Sequence, residues 1–200
     1  MKFLFLSKNN FLSIICLLLL NLPLFSVETE ENEWRKFFLS PNKKEFSEYA
    51  RCLLSSDICE QKISHPFFSG KLGLFVTLKK SNQIRGCFGA FHHNSSEFLT
   101  LLKEYMQSAK KDDPRYIELT PKEFSQTAII ITLAFGLQKV SIDKEIDFKN
   151  LGIYLSSLNK VYVPGEIRSL KSFRSIMSEN SSKEVFTFQA ITFTIPKEDK

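Results

Sequence analysis

The stretch KLGLFVTLKKSNQIRGCFGAF, residues 71–91, decides the fold because it has the pattern of two strands joined by a tight turn. Apolar residues dominate positions 74–78, and a second strand-like run covers positions 84–91. The polar pair Ser81-Asn82 lies between them and has the composition of a hairpin turn. The stretch therefore predicts an antiparallel β-hairpin.

The sequence on both sides of this hairpin mixes helical and strand patterns. Apolar residues at helical spacing predict helices over 41–54, 98–109 and 168–178. Runs rich in β-branched and aromatic residues predict strands over 128–137, 152–155, 160–163 and 184–195. Because there is no strict alternation of strand and helix, we expect a single α+β domain with a largely antiparallel sheet flanked by helices.

The amino terminus has the organisation of a secretory signal peptide. Lys2 and Lys8 precede a short apolar run over 11–20, which ends before the small residue Ser26. The apolar run is shorter than the roughly 20 residues that a bilayer span needs, which disfavours the alternative of an uncleaved membrane anchor. We expect residues 1–26 to be a signal peptide, 27–40 an N-terminal tail and lead-in, and 41–196 the folded domain. The protein would then be exported, to a periplasmic or extracellular location, with no stable membrane span after cleavage.

The charge of the chain argues against a nucleic-acid partner. The full sequence carries a net charge of +5. Removing residues 1–26 lowers it to +3, because that segment holds two of the 27 basic residues and none of the 22 acidic ones. Such a mild excess, without a dominant run of Lys or Arg, is typical of an ordinary solvated surface.

Three cysteines remain after removal of the expected signal peptide: Cys52, Cys59 and Cys87. In an oxidising compartment an odd number leaves at least one thiol unpaired or paired between chains. On one unbroken helix, the seven-residue separation of Cys52 and Cys59 corresponds to a rise of ~10.5 Å, too far for a disulfide. A bridge between them requires the helix to end near Ser55 or Ser56. The cysteine and histidine spacing does not match a zinc site, so we expect no metal.

The residues best suited to binding or catalysis lie in the segment Ile84-Arg85-Gly86-Cys87-Phe88-Gly89. If the strand is regular, Arg85 and Cys87 project from the same face, and the guanidinium would lower the pKa of the thiol. Gly86 and Gly89 permit strand bending or close approach of a ligand or of another backbone. The simpler interpretation of the same residues is a bulged strand with a buried structural cysteine and with the arginine paired to a surface acid. His92 and His93 follow the segment, and only a tight turn could bring either back to the thiol as a base.

A second candidate for binding is Arg115, in the segment Asp112-Asp113-Pro114-Arg115-Tyr116 that follows the helix over 98–109. Asp113 and Pro114 are residues typical of a turn after a helix. A functional interpretation makes Arg115 half of an anion-binding pair with Arg85.

Four segments in order resemble the motifs of the AMMECR domain family. The hairpin with Ile84–Phe91 is similar to the family's L-R-G-C-I-G-T-F core, and 113–116 is similar to its D-P-R-F. Residues 119–124 and 185–190 resemble its L-x-P-x-E-L and L-Y-R-F-Q-A motifs. The resemblance implies a compact α+β domain without a firmly established biochemical activity.

Two functional hypotheses follow. In the first, the protein is a binding module whose Arg85-Gly86-Cys87 face recognises a small anion or a protein segment, with contributions from Gly89 and Arg115. In the second, Cys87 is the reactive thiol of a cysteine-dependent enzyme or thiol-redox protein. Because no second carboxylate, metal cluster or Gly-rich phosphate loop accompanies the motif, we favour the binding module, and we expect no cofactor. A base within reach of Cys87 beside an apolar pocket would favour the enzyme.

Overall fold

The computed structural model describes residues 27–198 except 57, 60–62, 82, 142–144 and 181–183. The expected signal peptide at 1–26 lies outside the described residues. Among the helices of the described part, none is long and apolar enough to cross a membrane.

Helices and strands alternate irregularly along the described chain. The α-helices are α1 (Val27–Leu39), α2 (Lys43–Ser55), α3 (Phe98–Lys111) and α4 (Leu170–Asn180). The strands are β1 (Gly73–Lys80), β2 (Gln83–Ala90), β3 (Thr127–Val140), β4 (Gly152–Leu155), β5 (Lys160–Tyr162) and β6 (Val185–Ile195). Two short 3-10 helices cover Pro121–Gln126 and Ser156–Leu158.

The six strands form one antiparallel sheet in the order β2-β1-β3-β6-β4-β5. The hairpin prediction is confirmed, since β1 and β2 are antiparallel neighbours with Leu74 opposite Ala90 and Thr77 opposite Cys87. β2 lies at one edge of the sheet and β5 at the other. The structure is therefore α+β with a largely antiparallel sheet, as the sequence predicted.

The two faces of the sheet have different surroundings. On one face, called here the helical face, alternate apolar residues of β1 and β3 such as Val76 and Ile131 join α1, α2 and α3 in the main core. The opposite face, called here the open face, carries Phe75, Thr77 and Ile130. At its β6 end the open face is covered by aromatic residues, with Phe75 stacking near Phe188 at a ring separation of 6.4 Å. Two cavities described below lie on other parts of this face.

Residues 27–39, expected as a tail and lead-in, form a helix that packs in the main core. Trp34 is fully buried and its ring lies 4.4 Å from that of Phe98. Phe37 and Phe38, three and four residues later, are buried on the same side of the helix. The buried carboxylate of Glu30 accepts hydrogen bonds from the backbone N and the hydroxyl of Ser69. The acidic composition of the segment hides this apolar stripe, whose spacing is helical.

Cys52 and Cys59 form a disulfide, with their Cα atoms 6.0 Å apart. α2 ends at Ser55, which meets the condition that the sequence set for this bridge. The chain then leaves the helix axis, and the backbone N–H of Ser56 donates to the carbonyl of Cys52. Cys87 is the free cysteine of the described residues.

Candidate functional site

A β-bulge divides the motif that the sequence singled out. Leu78 lies opposite Gly86 while the next residue, Lys79, lies opposite Ile84, so Arg85 is the extra residue of β2. Beyond the bulge, Cys87 pairs with Thr77 on the open face. Arg85 instead joins Lys80, which points to the helical side of the strand, in a contact with Glu123. The expectation that Arg85 and Cys87 share a strand face is therefore wrong, because the extra residue shifts the alternation.

Arg85 serves as a structural cation. Its guanidinium and the ammonium of Lys80 both donate to Oε1 of Glu123. The other oxygen of Glu123 accepts from the backbone N and hydroxyl of Thr120, at 3.1 and 3.0 Å. The Thr120 backbone donor, followed by Arg85 and Lys80, lowers the pKa of Glu123 to about 2. Arg85 thus fixes the 3-10 helix Pro121–Gln126 to the hairpin and does not pair with Arg115 around an anion.

Gly86 and Gly89 allow close backbone packing. A Cβ on Gly86 would lie 1.8 Å from the carbonyl oxygen of Ala109 in α3, and one on Gly89 would lie 2.2 Å from the carbonyl oxygen of Leu74. Any side chain at either position would push β2 away from its neighbours. The close approach anticipated at these glycines is made by the protein's own backbone. Gly89 also lines the cavity described below.

Cys87 lies between two polar partners. Its Sγ accepts a hydrogen bond from the Thr77 hydroxyl at 3.2 Å, and its backbone N donates to Oδ2 of Asp113 at 2.8 Å. Burial raises the pKa of the Cys87 thiol, and the nearby carboxylates of Glu166 and Asp113 add to that effect. The Thr77 hydrogen bond and the charge of Arg115 act in the opposite direction without reversing it. The expectation that Arg85 lowers the pKa of Cys87 is therefore wrong: the pKa is raised, and Arg85 is not among the groups that shift it.

Asp113 and Arg115 form an ion pair beside the unpaired edge of β2. Asp113 is buried, and Arg115 donates to it from Nε at 2.9 Å, from Nη2 at 2.8 Å and from its backbone N at 3.1 Å. Burial alone would raise the pKa of Asp113, but the hydrogen bonds from Arg115 and Cys87 outweigh it and hold that pKa below its usual range. The same contacts raise the pKa of Arg115. Arg115 is therefore a fixed, permanently charged group.

A groove of about 410 Å³ opens beside Cys87 on the open face of the sheet. One wall is formed by Cys87 and by 113–115, and Phe75 contributes an aromatic surface. The opposite wall is the turn between β4 and β5, where Asn159 adopts a left-handed conformation with φ of 49°. That turn adds Leu158, Lys160 and Val161, so the groove combines two basic side chains with apolar surface. A volume of this size suits a small organic molecule.

The structure brings together only some of the residues predicted from sequence. Cys87, Gly89 and Arg115 line the groove, whereas Arg85 lies on the helical side and Gly86 packs on α3. Sequence reasoning missed the wall at 158–161, although the hairpin pattern around Asn159 marked a turn there. No local signal could place that turn beside Cys87, because the contact depends on the order of strands in the sheet.

His93, which follows the motif, is held away from the thiol by other partners. The ring of His93 contacts the Tyr105 hydroxyl through Nδ1 at 2.8 Å and the Leu72 carbonyl through Nε2 at 3.1 Å. These contacts hold His93 against α3, on the helical side of the sheet. Over the described ranges no group of three or more His, Cys, Asp or Glu side chains is arranged to hold a metal ion.

Comparison with known proteins gives a family and a related fold. The family model described as AMMECR1 matches residues 47–174. The crystal structure of the uncharacterized protein PH0010 from Pyrococcus horikoshii has a TM-score of 0.54 and 16% sequence identity, covering 81% of this chain and 91% of that chain. No curated protein matches this chain. The identity to PH0010 shows a shared fold alone. Since the family match spans more than half of the chain and includes both Cys87 and Arg115, this protein belongs to the AMMECR1 family.

Proposed function

We propose that this protein is an exported binding domain whose groove beside Cys87 and Arg115 binds a small anion that carries an apolar group. One observation carries the proposal: a guanidinium held in place by Asp113 lies at the wall of a groove with aromatic and aliphatic surface. A cation that is already ordered loses little conformational entropy when a ligand binds.

The donors of Arg115 explain how it would hold an anion. Asp113 accepts hydrogen bonds from the Nε and Nη2 atoms of Arg115. The Nη1 atom has no hydrogen-bond partner in the part of the chain that the structure describes. The side chain of Arg115 is 39% exposed, so a ligand in the groove has access to it. Lys160, on the opposite wall, adds a second positive charge. Phosphate and carboxylate groups are the anions that guanidinium donors recognise best.

Export of the domain is part of the proposal. It is supported by the signal-peptide pattern of residues 1–26 and by the disulfide between Cys52 and Cys59. Disulfides persist in oxidising compartments and are rare in the cytosol of most organisms. The anion would then be taken from the periplasm or the extracellular medium.

The alternative, a thiol-dependent enzyme, has less support. Its strongest observation is that Cys87 lines the groove. Against it, burial favours the protonated thiol, and His93 is engaged on the helical side of the sheet. A nucleophilic thiol requires either a lowered pKa or an adjacent base.

Calorimetric titration of the purified protein with phenyl phosphate tests the binding proposal. Inorganic phosphate and phenol provide the two halves of the probe, and each should bind at least ten-fold more weakly than phenyl phosphate. Arg115→Met should weaken binding of phenyl phosphate about ten-fold or more, because a charge-assisted hydrogen bond is lost. Arg115→Lys, which keeps the charge but not the fork of donors, should give an intermediate affinity.

Arg85→Met is the matched control. It removes the same type of side chain from β2, on the helical side and outside the groove lining, so affinity for phenyl phosphate should stay unchanged. Because Arg115→Met leaves Asp113 without its partner, the fold of each variant is checked by fluorescence of the buried Trp34. Equal affinities of a folded Arg115→Met variant and the unmodified protein would reject the proposal.

A further inference from the structure

A second cavity, of about 400 Å³, lies on the open face of the sheet. Its floor is formed by Thr77, Ile84 and Ile130 from three adjacent strands. The segment 163–168, between β5 and α4, forms the other side. The hydrogen-bonded pair of Thr77 and Cys87 stands between this cavity and the groove beside Arg115, since Thr77 lines one and Cys87 the other.

Glu166 places a carboxyl group in this second cavity. Its Oε2 accepts a hydrogen bond from the backbone N of Val163 at 3.0 Å, which fixes the side chain against its own loop. Burial raises the pKa of Glu166, and the hydrogen bond from Val163 and the charge of Arg115 only partly offset this effect. A carboxylate in such surroundings gains stability from a cation that enters the cavity. No ion-pair partner within hydrogen-bonding range of Glu166 exists among the described residues.

Two basic side chains complete the lining. Lys79 projects from β1, and Arg168 follows Glu166 in the covering segment. Within the described part of the chain, neither is held in an ion pair. The lining also includes the aliphatic residues Ile84, Ile130 and Val163. The cavity therefore has an anionic position, a cationic position and an apolar floor.

We infer that this second cavity binds a small zwitterion with an aliphatic side chain, of the type of a branched aliphatic amino acid. The ammonium group contacts Glu166, the carboxylate contacts Lys79 and Arg168, and the side chain packs on the isoleucines of the floor. An uncharged molecule would leave Glu166 without compensation, and a simple anion would meet it as a like charge. This cavity shares no lining residue with the anion groove, although the charge of Arg115 reaches Glu166.

The test is a calorimetric titration of the purified protein at pH 8 with three probes of similar shape. L-Leucine carries both charges, isoamylamine carries only the ammonium group, and 4-methylpentanoate carries only the carboxylate. L-Leucine should bind at least ten-fold more tightly than either of the others. Glu166→Gln should weaken L-leucine binding by about ten-fold or more, and Lys79→Met should weaken it in the same direction.

Glu184→Gln is the control, because Glu184 pairs with Lys139 at an exposed position and lies outside the cavity lining. Its affinity for L-leucine should equal that of the unmodified protein, and Trp34 fluorescence confirms that each variant is folded. The inference is overturned if L-leucine does not bind, if a single-charge probe binds as tightly, or if folded Glu166→Gln retains full affinity. Binding of phenyl phosphate, measured on the same samples, reports separately on the groove beside Arg115.

Discussion

The sulfur of Cys87 lies among groups that favour the protonated thiol. The residue is half-buried, and the carboxylates of Glu166 and Asp113 disfavour a second negative charge nearby. The Thr77 hydroxyl is the main contact that stabilises the thiolate, because it donates a hydrogen bond to Sγ. The reactivity of this cysteine is therefore set by Thr77 and by burial, and not by the arginine two residues before it.

Alkylation with iodoacetamide measures this directly. Cys87 should react more slowly than free cysteine at neutral pH, and its rate should keep rising with pH beyond the midpoint of the free thiol, because the pKa is raised. Thr77→Val should slow the reaction by roughly three-fold or more, since each unit of pKa changes the thiolate fraction about ten-fold. Arg85→Met should leave the rate unchanged.

Mass spectrometry of the alkylated peptide confirms that Cys87 is the labelled residue. The opposite pattern would be an alkylation rate above that of free cysteine, with a decrease in the Arg85→Met variant. Such a result would support the thiol-dependent enzyme and contradict the bulged geometry.

Among the elements, β2 and α3 approach each other most closely at Gly86. The Cβ that alanine would add there overlaps the Ala109 carbonyl, a backbone atom that cannot move without displacing the helix. Gly165 provides a contrast, because its neighbourhood is open and only its positive φ of 79° disfavours a side chain. Substitution of each glycine therefore distinguishes the cost of steric overlap, at Gly86, from the cost of backbone conformation, at Gly165.

Gly86→Ala should lower the free energy of unfolding by about 3 kcal/mol or more, because an overlap with backbone forces β2 and α3 apart. Gly165→Ala should cost only about 1 kcal/mol, the penalty of a left-handed conformation. Urea unfolding followed by Trp34 fluorescence measures both. A smaller loss at Gly86 than at Gly165 would contradict the close packing of β2 on α3.

Elements with a strong local pattern were predictable, and elements decided by long-range contacts were not. The β1–β2 hairpin follows from two apolar runs and a polar turn, and α3 follows from its apolar stripe before Pro114. The glycines of the motif indicated a bulged strand, but its position at Arg85 was not predictable, because that position arises from the joint fit of β2 to β1 and to Glu123. The helix around Trp34 was missed because acidic residues surround a stripe that has meaning only once Phe98 packs on it.

At the scale of the whole molecule, Glu123 links parts of the chain that are distant in sequence. It joins β1 through Lys80, β2 through Arg85 and the start of its own 3-10 helix through Thr120. Its pKa of about 2 in the folded protein lies below the ordinary value of 4.5. A lowered pKa means that this carboxylate stabilises the fold fully above about pH 5 and loses that contribution as the pH falls toward 2.

Glu123→Gln should therefore destabilise the protein by about 2 kcal/mol at pH 7, a value reduced for the partial exposure of Lys80 and Arg85. At pH 2 the difference between variant and unmodified protein should nearly vanish. Thermal unfolding at pH 7, 4 and 2 measures this convergence. A constant difference at every pH would indicate that the glutamate acts through packing and not through its charge.

The candidate site was predictable in part for the same reason that the fold was. Arg115 follows from a turn motif after a helix, and Cys87 follows from a glycine-flanked strand. Their neighbours Asn159 and Glu166 come from the turn between β4 and β5 and from the segment between β5 and α4. Both lie beside the site because the sheet is curled, which brings its far end and the segment that follows toward the open face near β2. No pattern within either segment carries that information.

The most direct test of the central claim is a two-dimensional amide NMR titration of the purified, isotope-labelled protein with phenyl phosphate. Amide signals of Asp113, Arg115 and Tyr116 and of the turn at 158–161 should shift together and saturate at a common dissociation constant. The Arg115→Met protein should lose these shifts while keeping a dispersed, folded spectrum. Shifts confined to the surroundings of Arg85 and Glu123, or no saturable shift at all, would contradict an anion site in the groove beside Cys87.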